Sequence, residues 1–400
     1  MIKVMAVNAG SSSLKFKLYE MPEEKVLCSG NAERIGHDDG IFGIKWNGQS
    51  EKKVLPILDH AVAVKLVVDA MLEKGIVKSM DEIKAVGHRV VQGGKYFSRS
   101  ELFNKDTEDK IESLIPLAPL HNKAHLIGFR AFKQILPDVT NVAVFDTAFH
   151  QTMEPQDYVF PIPYEYTEKY DCRRYGAHGT SHKYLSEEGL KYLKDVAHPR
   201  IISCHIGSGA SITAIKDGKC VATSMGLTPL GGIMMGTRTG DLDPSVMNYL
   251  CTCTGKSVEE MYQIFNKKSG FLGVSEISND SRDVLAACEK GDEKAILANQ
   301  IFIRRIADFI GQYFVRLGGA DLIIFSAGIG ENSAITREQV VDEIKDALNV
   351  EIDKDLNNQI HGKEALISTP NSKIKIAVIP TDEEVMIARD TYFFYQKEHN

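Results

Sequence analysis

The chain has 400 residues, of which 43% are hydrophobic and 25% are charged, so it is long enough for two domains with buried cores. Its formal net charge of −7 argues against nucleic acid or an anionic membrane as the main partner, and no apolar stretch has the length of a membrane-spanning helix. No signal peptide precedes the first predicted strand, and the seven cysteines form no disulfide or metal framework, so a cytoplasmic protein is expected.

The first half of the chain alternates predicted strands and helices. Apolar or alternating patterns predict strands at residues 4–7, 14–19, 42–46, 83–88 and 142–145. Apolar residues at helical spacing over 60–74, followed by Gly75, predict a helix. The last two strands are followed at once by Arg89 and Asp146. Because ligands of α/β proteins gather at the carboxyl ends of strands, both side chains are candidates for a site.

The second half repeats this plan after a segment rich in Pro and Tyr, residues 153–170, which predicts a domain boundary. The repeated elements are a strand hairpin, a long amphipathic helix and two buried strands, at residues 201–215, 300–317, 321–325 and 374–379. A terminal helix follows. The sequence therefore predicts an α/β protein with a duplicated architecture.

Two turns have the composition of phosphate-binding loops, at residues 10–13 and 207–209, and each lies between two predicted strands. Glycine lets the backbone approach a ligand closely, and free amides and Ser hydroxyls suit phosphate oxygens. One such turn is ordinary. Two in one chain indicate a duplicated phosphate-binding unit, with nucleotide bound between the copies.

Two familiar nucleotide motifs are excluded. Residues 254–257 look like the end of a Walker loop, but Leu250 stands where its first glycine is required, so a turn that begins a helix is predicted instead. The glycines at 207–209 and 328–330 do not complete a dinucleotide-binding fingerprint.

Several charged residues lie on glycine-rich loops. Arg89 and Arg238 each offer a planar fork that matches carboxylate or phosphate, and His178 lies between two glycines. Each of these residues, taken alone, has an ordinary structural explanation. An arginine in a loop is often solvated or ion-paired, His121 could simply be hydrogen-bonded, and Asp146 could cap a helix. The combination with two phosphate-type turns indicates an enzyme that handles phosphate.

These motifs, in this order, resemble those of the acetokinase family, within the acetate and sugar kinase/actin superfamily, over essentially the whole chain. The matching segments are residues 4–15, 87–94, 119–122, 144–150, 174–182, 205–211, 236–244, 327–333 and 381–384. The resemblance implies two duplicated actin-like (ribonuclease H-like) βββαβαβα domains flanking an active-site cleft, and a homodimer. An acid-binding domain would comprise residues 1–150 and 385–400, and a nucleotide-binding, dimerising domain residues 151–384.

The resemblance also implies a reaction, the reversible transfer of the γ-phosphoryl of ATP to acetate, giving acetyl phosphate and ADP. Mg²⁺, with Mn²⁺ as a substitute, would be held by Asn8 and Glu383. The implied catalytic residues are Arg89, Asp146, His178 and Arg238. The implied acid-binding residues are Arg89, Val91, Leu120, His121, Ala177 and Pro229. The implied nucleotide-binding residues are Lys15, His205, Ile206, Gly207, Ser208, Gly209, Asp280, Ser281, Arg282, Gly328, Ile329, Gly330, Glu331 and Asn332.

Two positions depart from the family pattern. Ala177 stands where the family usually has Phe, which predicts a wider acid pocket, and Ser208 stands where Asn is common. A propionate or butyrate kinase is therefore an alternative. An actin-like ATPase without a metabolic role would have no reason to combine Arg89, His178 and Arg238, and a polyphosphate hydrolase would need no carboxylate pocket.

Overall fold

The computed structural model describes residues 1–119 and 121–399. Two compact units are present: residues 1–149 and 382–399 form unit 1, and residues 150–381 form unit 2. Residues 382–384, which the sequence-based division assigns to the second domain, belong to unit 1. Among the described residues, no helix is both long enough and apolar enough to cross a membrane.

The strands alternate with helices along both units. The strands are β1 (Ile2–Ala9), β2 (Ser13–Met21), β3 (Lys25–Glu33), β4 (His37–Trp46), β5 (Gln49–Ile57), β6 (Ile83–Val90), β7 (Glu101–Leu102), β8 (Thr140–Phe145), β9 (Arg200–Ile206), β10 (Ala210–Lys216), β11 (Lys219–Thr223), β12 (Leu322–Ser326), β13 (Ala365–Leu366) and β14 (Lys375–Val378).

The α-helices range from one turn to seven turns. They are α1 (His60–Glu73), α2 (Lys105–Ser113), α3 (Asn122–Ile135), α4 (Pro155–Tyr158), α5 (Glu165–Tyr170), α6 (Gly179–Leu190), α7 (Ser245–Thr254), α8 (Val258–Lys267), α9 (Gly270–Ser275), α10 (Ser281–Glu289), α11 (Glu293–Leu317), α12 (Ala327–Asn332), α13 (Ala334–Leu348), α14 (Lys354–Gln359) and α15 (Glu383–His399). Short 3₁₀ turns occur at Met80–Glu82, Ile115–Leu117 and Ala148–Thr152.

Each unit contains one mixed sheet, and the two sheets share one plan. In unit 1 the described strands lie in the order β5-β4-β3-β2-β1-β6-β8-β7, and in unit 2 in the order β11-β10-β9-β12-β14-β13. In both, three consecutive antiparallel strands are extended by two parallel strands and an antiparallel edge strand. This repetition confirms the predicted duplication, with the β4–β5 hairpin as an addition to unit 1.

Helices cover the central strands of each sheet. In unit 1, α15 packs on β1, β2, β6 and β8, whereas α3 packs on β1 and β6. In unit 2, α6 packs on β9 and β12, and α11 packs on β9 and β10. All six residues of β8 and all five of β12 are buried, as expected for parallel strands covered on both faces.

The helix and strand predictions from the sequence are confirmed at each segment that was assigned, with shifted ends. The long helix begins at Glu293 rather than at residue 300. The predicted turn at 254–257 is also confirmed, because Ser257 caps α8 in a reciprocal arrangement with Glu260. Strands β3, β5 and β11 were missed because most of their residues are polar or partly exposed.

Candidate active site

In unit 1 the ends of two parallel strands bring Arg89 and Asp146 together. Strands β6 and β8 are neighbours, with Arg89 opposite Val144, and Asp146 directly follows β8. Nε of Arg89 donates to Oδ1 and Oδ2 of Asp146 at 3.0 and 3.1 Å, and Nη2 donates to Oδ2 at 2.5 Å. Burial alone would lower the pKa of Arg89, but the negative charges of Asp146 and Glu383 together raise it above the usual value of an arginine. Arg89 is therefore held as a cation in a fixed orientation.

Asn8 and Glu383 lie around the same cation. Asn8 is on β1, next to β6, and its Oδ1 accepts a hydrogen bond from Nη1 of Arg89 at 3.4 Å. Glu383 begins α15. Burial raises the pKa of Glu383 to about 7, an effect that Arg89 opposes and Asp146 and Glu384 reinforce. Negative charge at Glu383 is thus only partly compensated by the protein.

The donor set at this position fits a hard divalent cation shared with a phosphate. Carboxylate and amide oxygens, as offered by Glu383 and Asn8, are the ligands that Mg²⁺ and Mn²⁺ take, and Mg²⁺ usually keeps several waters and binds substrate phosphates. Within the described residues, no group of three or more His, Cys, Asp or Glu side chains could hold a metal alone. A site made entirely by the protein is therefore not indicated there.

Of the predicted acid-pocket residues of unit 1, Val91 and His121 are described, whereas Leu120 lies outside the described residues. Val91 follows β6 and is buried. The adjacent loop is fixed by Asn122, which accepts from the backbone N–H of Gln92 at 3.1 Å and donates to its carbonyl at 2.9 Å. His121 precedes α3, and its ring centroid lies 6.5 Å from that of His125.

In unit 2, two predicted catalytic groups converge on the second glycine-rich turn. A Cβ atom built on Gly209 would lie 3.5 Å from Nη1 of Arg238 and 3.5 Å from Nε2 of His178. The two nitrogens are therefore no more than about 7 Å apart. The turn connects β9 and β10 and is closed by a hydrogen bond from the N–H of Gly207 to the carbonyl of Gly209. A guanidinium and an imidazole thus border the same short stretch of backbone.

His178 has an unusual backbone conformation. It precedes α6 with φ +58°, in the left-handed region that side chains other than Gly seldom adopt. Its Nδ1 is 2.9 Å from Oγ of Ser211, and its ring stacks on that of His205 at a centroid distance of 4.1 Å. Strain of this kind at a ring held from two sides is typical of functional sites.

Arg238 differs from Arg89 in having no acid partner. Its Nη1 donates to the carbonyl of Pro229 at 3.2 Å, and within the described residues no carboxylate forms an ion pair with it. Burial lowers the pKa of Arg238, and Tyr262 opposes this. An arginine nevertheless stays protonated near neutral pH, so Arg238 offers positive charge that the described carboxylates leave uncompensated.

Ala177, the position that departs from the family pattern, is 3% exposed and belongs to the hydrophobic core of unit 2. Its carbonyl is 3.0 Å from Nε2 of His150, which fixes the segment just before His178. A larger side chain here would have to displace neighbouring atoms.

A cavity of about 500 Å³ in unit 2 collects most of the predicted nucleotide-binding residues. Its lining includes Gly207, Ser208, Asp280, Ser281, Arg282, Gly328, Ile329 and Asn332. Asp280 caps α10 and also accepts from the guanidinium of Arg282, which lowers the pKa of Asp280 to about 2. Asp280 thus caps the first turn of α10 at the wall of the cavity.

The other predicted nucleotide-binding residues do not line this cavity. His205 and Ile206 lie in β9, Gly209 ends the turn, and Gly330 is buried. Glu331 is used within unit 2, where its Oε1 accepts from the N–H of Thr381 at 3.0 Å. Lys15 lies in unit 1 and lines a separate cavity of about 450 Å³ on the β2–β5 part of the sheet.

Four residues that line the unit 2 cavity were not predicted from the sequence. The hydrogen-bond partners of His178 were not predicted either. The missed lining residues are Gly236, Phe271, Asn279 and Ser333. Asn279 directly precedes the predicted Asp280, so its position was the available signal. Ser211 lies within the predicted hairpin of residues 201–215, but no role was predicted for it.

Comparison with known proteins supplies the family. Residues 3–389 match the model of the acetokinase family. The acetate kinase of Bacillus cytotoxicus is 53% identical over 391 residues, which are 98% of each chain. The crystal structure of Porphyromonas gingivalis acetate kinase superposes with a TM-score of 0.93 at 42% identity, covering 98% of this chain and 99% of that one. A propionate kinase from Francisella tularensis gives 0.92 at 42% identity, covering 98% and 100%.

Proposed function

Because the chain belongs to the acetokinase family, we propose that it catalyses the reversible transfer of the γ-phosphoryl group of ATP to acetate, giving acetyl phosphate and ADP. This is a phosphotransferase reaction with a carboxyl group as acceptor. The structural observation that carries the proposal is the convergence of Arg238 and His178 on the turn at Gly209. Both groups are suited to the oxygens of a transferring phosphoryl group.

The main obstacle to this reaction is repulsion between two anions, the carboxylate and the terminal phosphate. Phosphoryl transfer needs little covalent help from a protein and depends on positioning and charge stabilisation. Arg238, which no described carboxylate neutralises, would stabilise charge on the phosphoryl oxygens, and His178 would donate a hydrogen bond there.

Arg89 would hold the carboxylate of the acid, and Asp146 would orient Arg89. The bidentate contact leaves Nη1 of Arg89 with a longer bond to Asn8, at 3.4 Å, so this nitrogen can exchange partners most readily. A carboxylic acid is already ionised at neutral pH and needs no general base. Asp146 is therefore assigned a positioning role rather than that of a proton acceptor.

Asn8 and Glu383 would hold Mg²⁺, or Mn²⁺ in its place, which when bound supplies positive charge to the nucleotide phosphates. The cavity in unit 2 would bind ATP or ADP, with Gly207 and Ser208 at the phosphates, residues 280–282 at the nucleoside and residues 328–332 at the adenine end. His205, Ile206 and Gly209 would support the phosphate turn, and Lys15 would contact the phosphates.

A preference for a longer acid is the second candidate. Ala177 is smaller than the Phe usual at this position, and one similar structure is described as a propionate kinase. Val91, His121 and Pro229, together with Leu120, would form the rest of the acid pocket. The chemistry is unchanged in this alternative, which differs only in the size of the acid that binds.

We also propose a cytoplasmic homodimer. Tyr249 on α7 and Val258 on α8 are 67% and 66% exposed, and these two helices pack against each other. Apolar and aromatic side chains are enriched at the centres of interfaces. Light scattering should give about twice the chain mass of 44.4 kDa, and a monomer would contradict the proposal.

Hydroxylamine trapping tests the proposed reaction. The purified chain is incubated with ATP, Mg²⁺ and formate, acetate, propionate or butyrate, and acyl hydroxamate is measured by its iron complex. Hydroxamate should form with acetate and be strongly reduced in Arg238→Ala. Arg305→Ala, which removes the same charge from an exposed position on α11, is the matched control. ATP consumption without hydroxamate for any acid would overturn the proposal.

A further inference from the structure

A buried chain of hydrogen bonds leads away from the ring of His178. Oγ of Ser211 is 2.9 Å from Nδ1 of His178 and 2.8 Å from Nε2 of His182, so one hydroxyl bridges two imidazoles. Nδ1 of His182 is in turn 2.9 Å from Oγ of Ser203. Ser203, Ser211 and His182 are each fully buried. No solvent competes for these bonds, so the four groups are held as one unit.

The hydroxyl of Ser211 carries one proton, so it can donate to only one of the two imidazoles and must accept from the other. If Ser211 donates to His178, its oxygen must accept from Nε2–H of His182, and His182 must then accept from Ser203 at Nδ1. If Ser211 donates to His182, His178 must carry its proton on Nδ1. Burial lowers the pKa of His182 well below its usual value, with His150 and His205 adding to the effect, so His182 is neutral in either arrangement. The two directions thus give different tautomers of His178.

The surroundings of Nε2 select between these directions. Nε2 of His178 faces Gly209, on a turn that the guanidinium of Arg238 also borders. Such a turn is suited to phosphate oxygens, which are hydrogen-bond acceptors. A proton on Nε2 allows His178 to donate a hydrogen bond to such an oxygen. A second positive charge within about 7 Å of Arg238 is unfavourable. A neutral His178 with its proton on Nε2 satisfies both conditions and requires Nδ1 to accept from Ser211.

We propose that Ser211, His182 and Ser203 are positioning residues that fix His178 as the Nε2–H tautomer aimed at the Gly209 turn. The direction of donation is from Ser203 to His182, from His182 to Ser211, and from Ser211 to His178. The ring of His205 stacks on that of His178 and further restricts its rotation. The functional consequence rests on the proposed phosphoryl transfer, but the tautomer itself does not.

Nitrogen NMR tests the tautomer independently of activity. The whole chain is labelled with ¹⁵N-histidine, and the ring signals of His178 are identified by their loss in His178→Asn. Nδ1 of His178 should show the shift of an unprotonated nitrogen and Nε2 that of an N–H. In Ser211→Ala the preference should weaken to a mixture of tautomers. A proton on Nδ1 in the unsubstituted chain, or an unchanged spectrum in Ser211→Ala, would overturn the proposal.

Kinetic measurements on two variants, His182→Gln and His182→Leu, test the effect of this positioning on catalysis. Gln at this position can still donate to Ser211, whereas Leu, of similar volume, cannot. His182→Leu should lower kcat ~10–100-fold, the range measured when a group that orients a ligating histidine is removed. KM for ATP and for the acid should change less than about threefold. His182→Gln should recover most of kcat. Equal losses in both folded variants, or a loss only in KM, would contradict the positioning role.

The two experiments separate this inference from the proposed function. Absence of acyl phosphate formation by the unsubstituted chain would overturn the function and leave the NMR result to decide the tautomer. Normal acyl phosphate formation with a freely exchanging His178 tautomer would leave the function in place and overturn the positioning role. If Ser211→Ala does not fold, His182→Leu and Ser203→Ala provide the same NMR comparison, with His182→Gln as the variant that should keep the tautomer.

Discussion

The carboxylate of Asp146 accepts three hydrogen bonds from the guanidinium of Arg89, at 2.5 to 3.1 Å, while Asp146 itself is 1% exposed. The neighbouring parallel strands β6 and β8 create this contact because both end at the same edge of the sheet. Arg238 in unit 2 has no such acid among the described residues. One arginine is thus held by a carboxylate, and the other is held only by neutral groups.

This difference predicts a large loss of stability when the Arg89–Asp146 pair is broken and little change when Arg238 is replaced. Asp146→Ala removes the carboxylate that pairs with Arg89, whose side chain is only 21% exposed, and should lower the free energy of unfolding by ~1.5–3 kcal/mol, the scale of hydrogen bonds to a charged group. Replacing both residues, as Arg89→Met with Asp146→Leu, should cost much less, although activity is lost in both cases. Glu101→Ala, which breaks the more exposed pair with Arg99, is the control and should cost less than about 1 kcal/mol. Equal costs for Asp146→Ala and Glu101→Ala in urea unfolding would contradict the prediction.

Loss of Arg238 should affect catalysis rather than stability. Arg238→Ala should lower kcat/KM for the acid by ~10²–10³, the scale of one preorganised donor at developing charge. The melting temperature should change little, since no described ion pair is broken. Arg305→Ala should keep full activity. A fall in melting temperature that accounts for the lost activity would show that Arg238 is structural.

Ala177→Phe should narrow the range of acids. The added ring would restore the wall that the family usually has and should lower the ratio of kcat/KM for propionate to that for acetate by about tenfold. Ala177 is buried, so overpacking of ~1–3 kcal/mol is also expected, and the variant must be shown to be folded by its melting temperature. Ala177→Val gives a smaller change in the same direction. An unchanged ratio in both folded variants would refute a role in acid selection.

Replacing Ala327 by glycine should not cause the loss of stability that this substitution usually causes in a helix. Its φ of +61° lies in the left-handed region, just before the predicted nucleotide-binding residues 328–332. Alanine there costs ~1–2 kcal/mol, which glycine avoids, while glycine adds ~0.4–1 kcal/mol of chain entropy. Ala327→Gly should therefore leave stability equal or slightly higher. Ala286→Gly, at an exposed position of α10, should cost about 1 kcal/mol. Similar losses in the two variants would contradict the prediction.

His125 should make the protein sensitive to acid. Among residues 1–119 and 121–399, neither ring nitrogen has a partner of normal hydrogen-bond geometry, although the backbone of Ala9 interacts with the ring. Burial, together with the nearby Arg89 and His121, lowers the pKa of His125 to about 3 from 6.5. A depressed folded-state pKa gives stability that is complete above about pH 6.5 and is lost as the pH falls towards 3, by up to ~1.4 kcal/mol per pH unit.

His125→Leu tests this pH dependence. Between pH 6.5 and 4, the free energy of unfolding of the variant should fall less steeply with pH, because the contribution of His125 is gone. At pH 7 the variant should be more stable by ~1–3 kcal/mol because a buried polar group without a well-formed hydrogen bond is removed. His37→Leu, at an exposed position, is the control and should change stability at pH 7 by less than about 0.5 kcal/mol. The measurement is urea unfolding at several pH values. A less stable His125→Leu would indicate that the ring has a stabilising partner.

The sequence predicted the parts of the site that depend on local pattern. Arg89 and Asp146 were predicted because each follows a short apolar run, and the structure places them in contact. Residues 207–208 and 328–329 were predicted because glycine-rich turns follow strands, and they line one cavity. The return of α15 to unit 1 could not be read from periodicity, because it is set by packing against strands some 300 residues earlier in the chain. It was expected only from the family resemblance.

The hydrogen-bond partners of His178 were not predictable in the same way. Ser211 and His182 are separated by 29 positions and meet only when α6 packs beside β9 and β10. Serine and histidine have no pattern that distinguishes a buried bridge from a surface residue. Likewise, β5 begins with a run of polar residues, Gln49 to Lys53, that carries no alternation to mark a strand.

In the proposed reaction, a carboxylate oxygen of acetate attacks the terminal phosphate of ATP. Acetate labelled with ¹⁸O in both oxygens, ATP, Mg²⁺ and the chain are followed by ³¹P NMR. Acetyl phosphate should appear with the isotope shift of a phosphorus–¹⁸O bond, in equal amount with ADP. Acetyl phosphate without that shift, or release of AMP and pyrophosphate, or of inorganic phosphate alone, would contradict it.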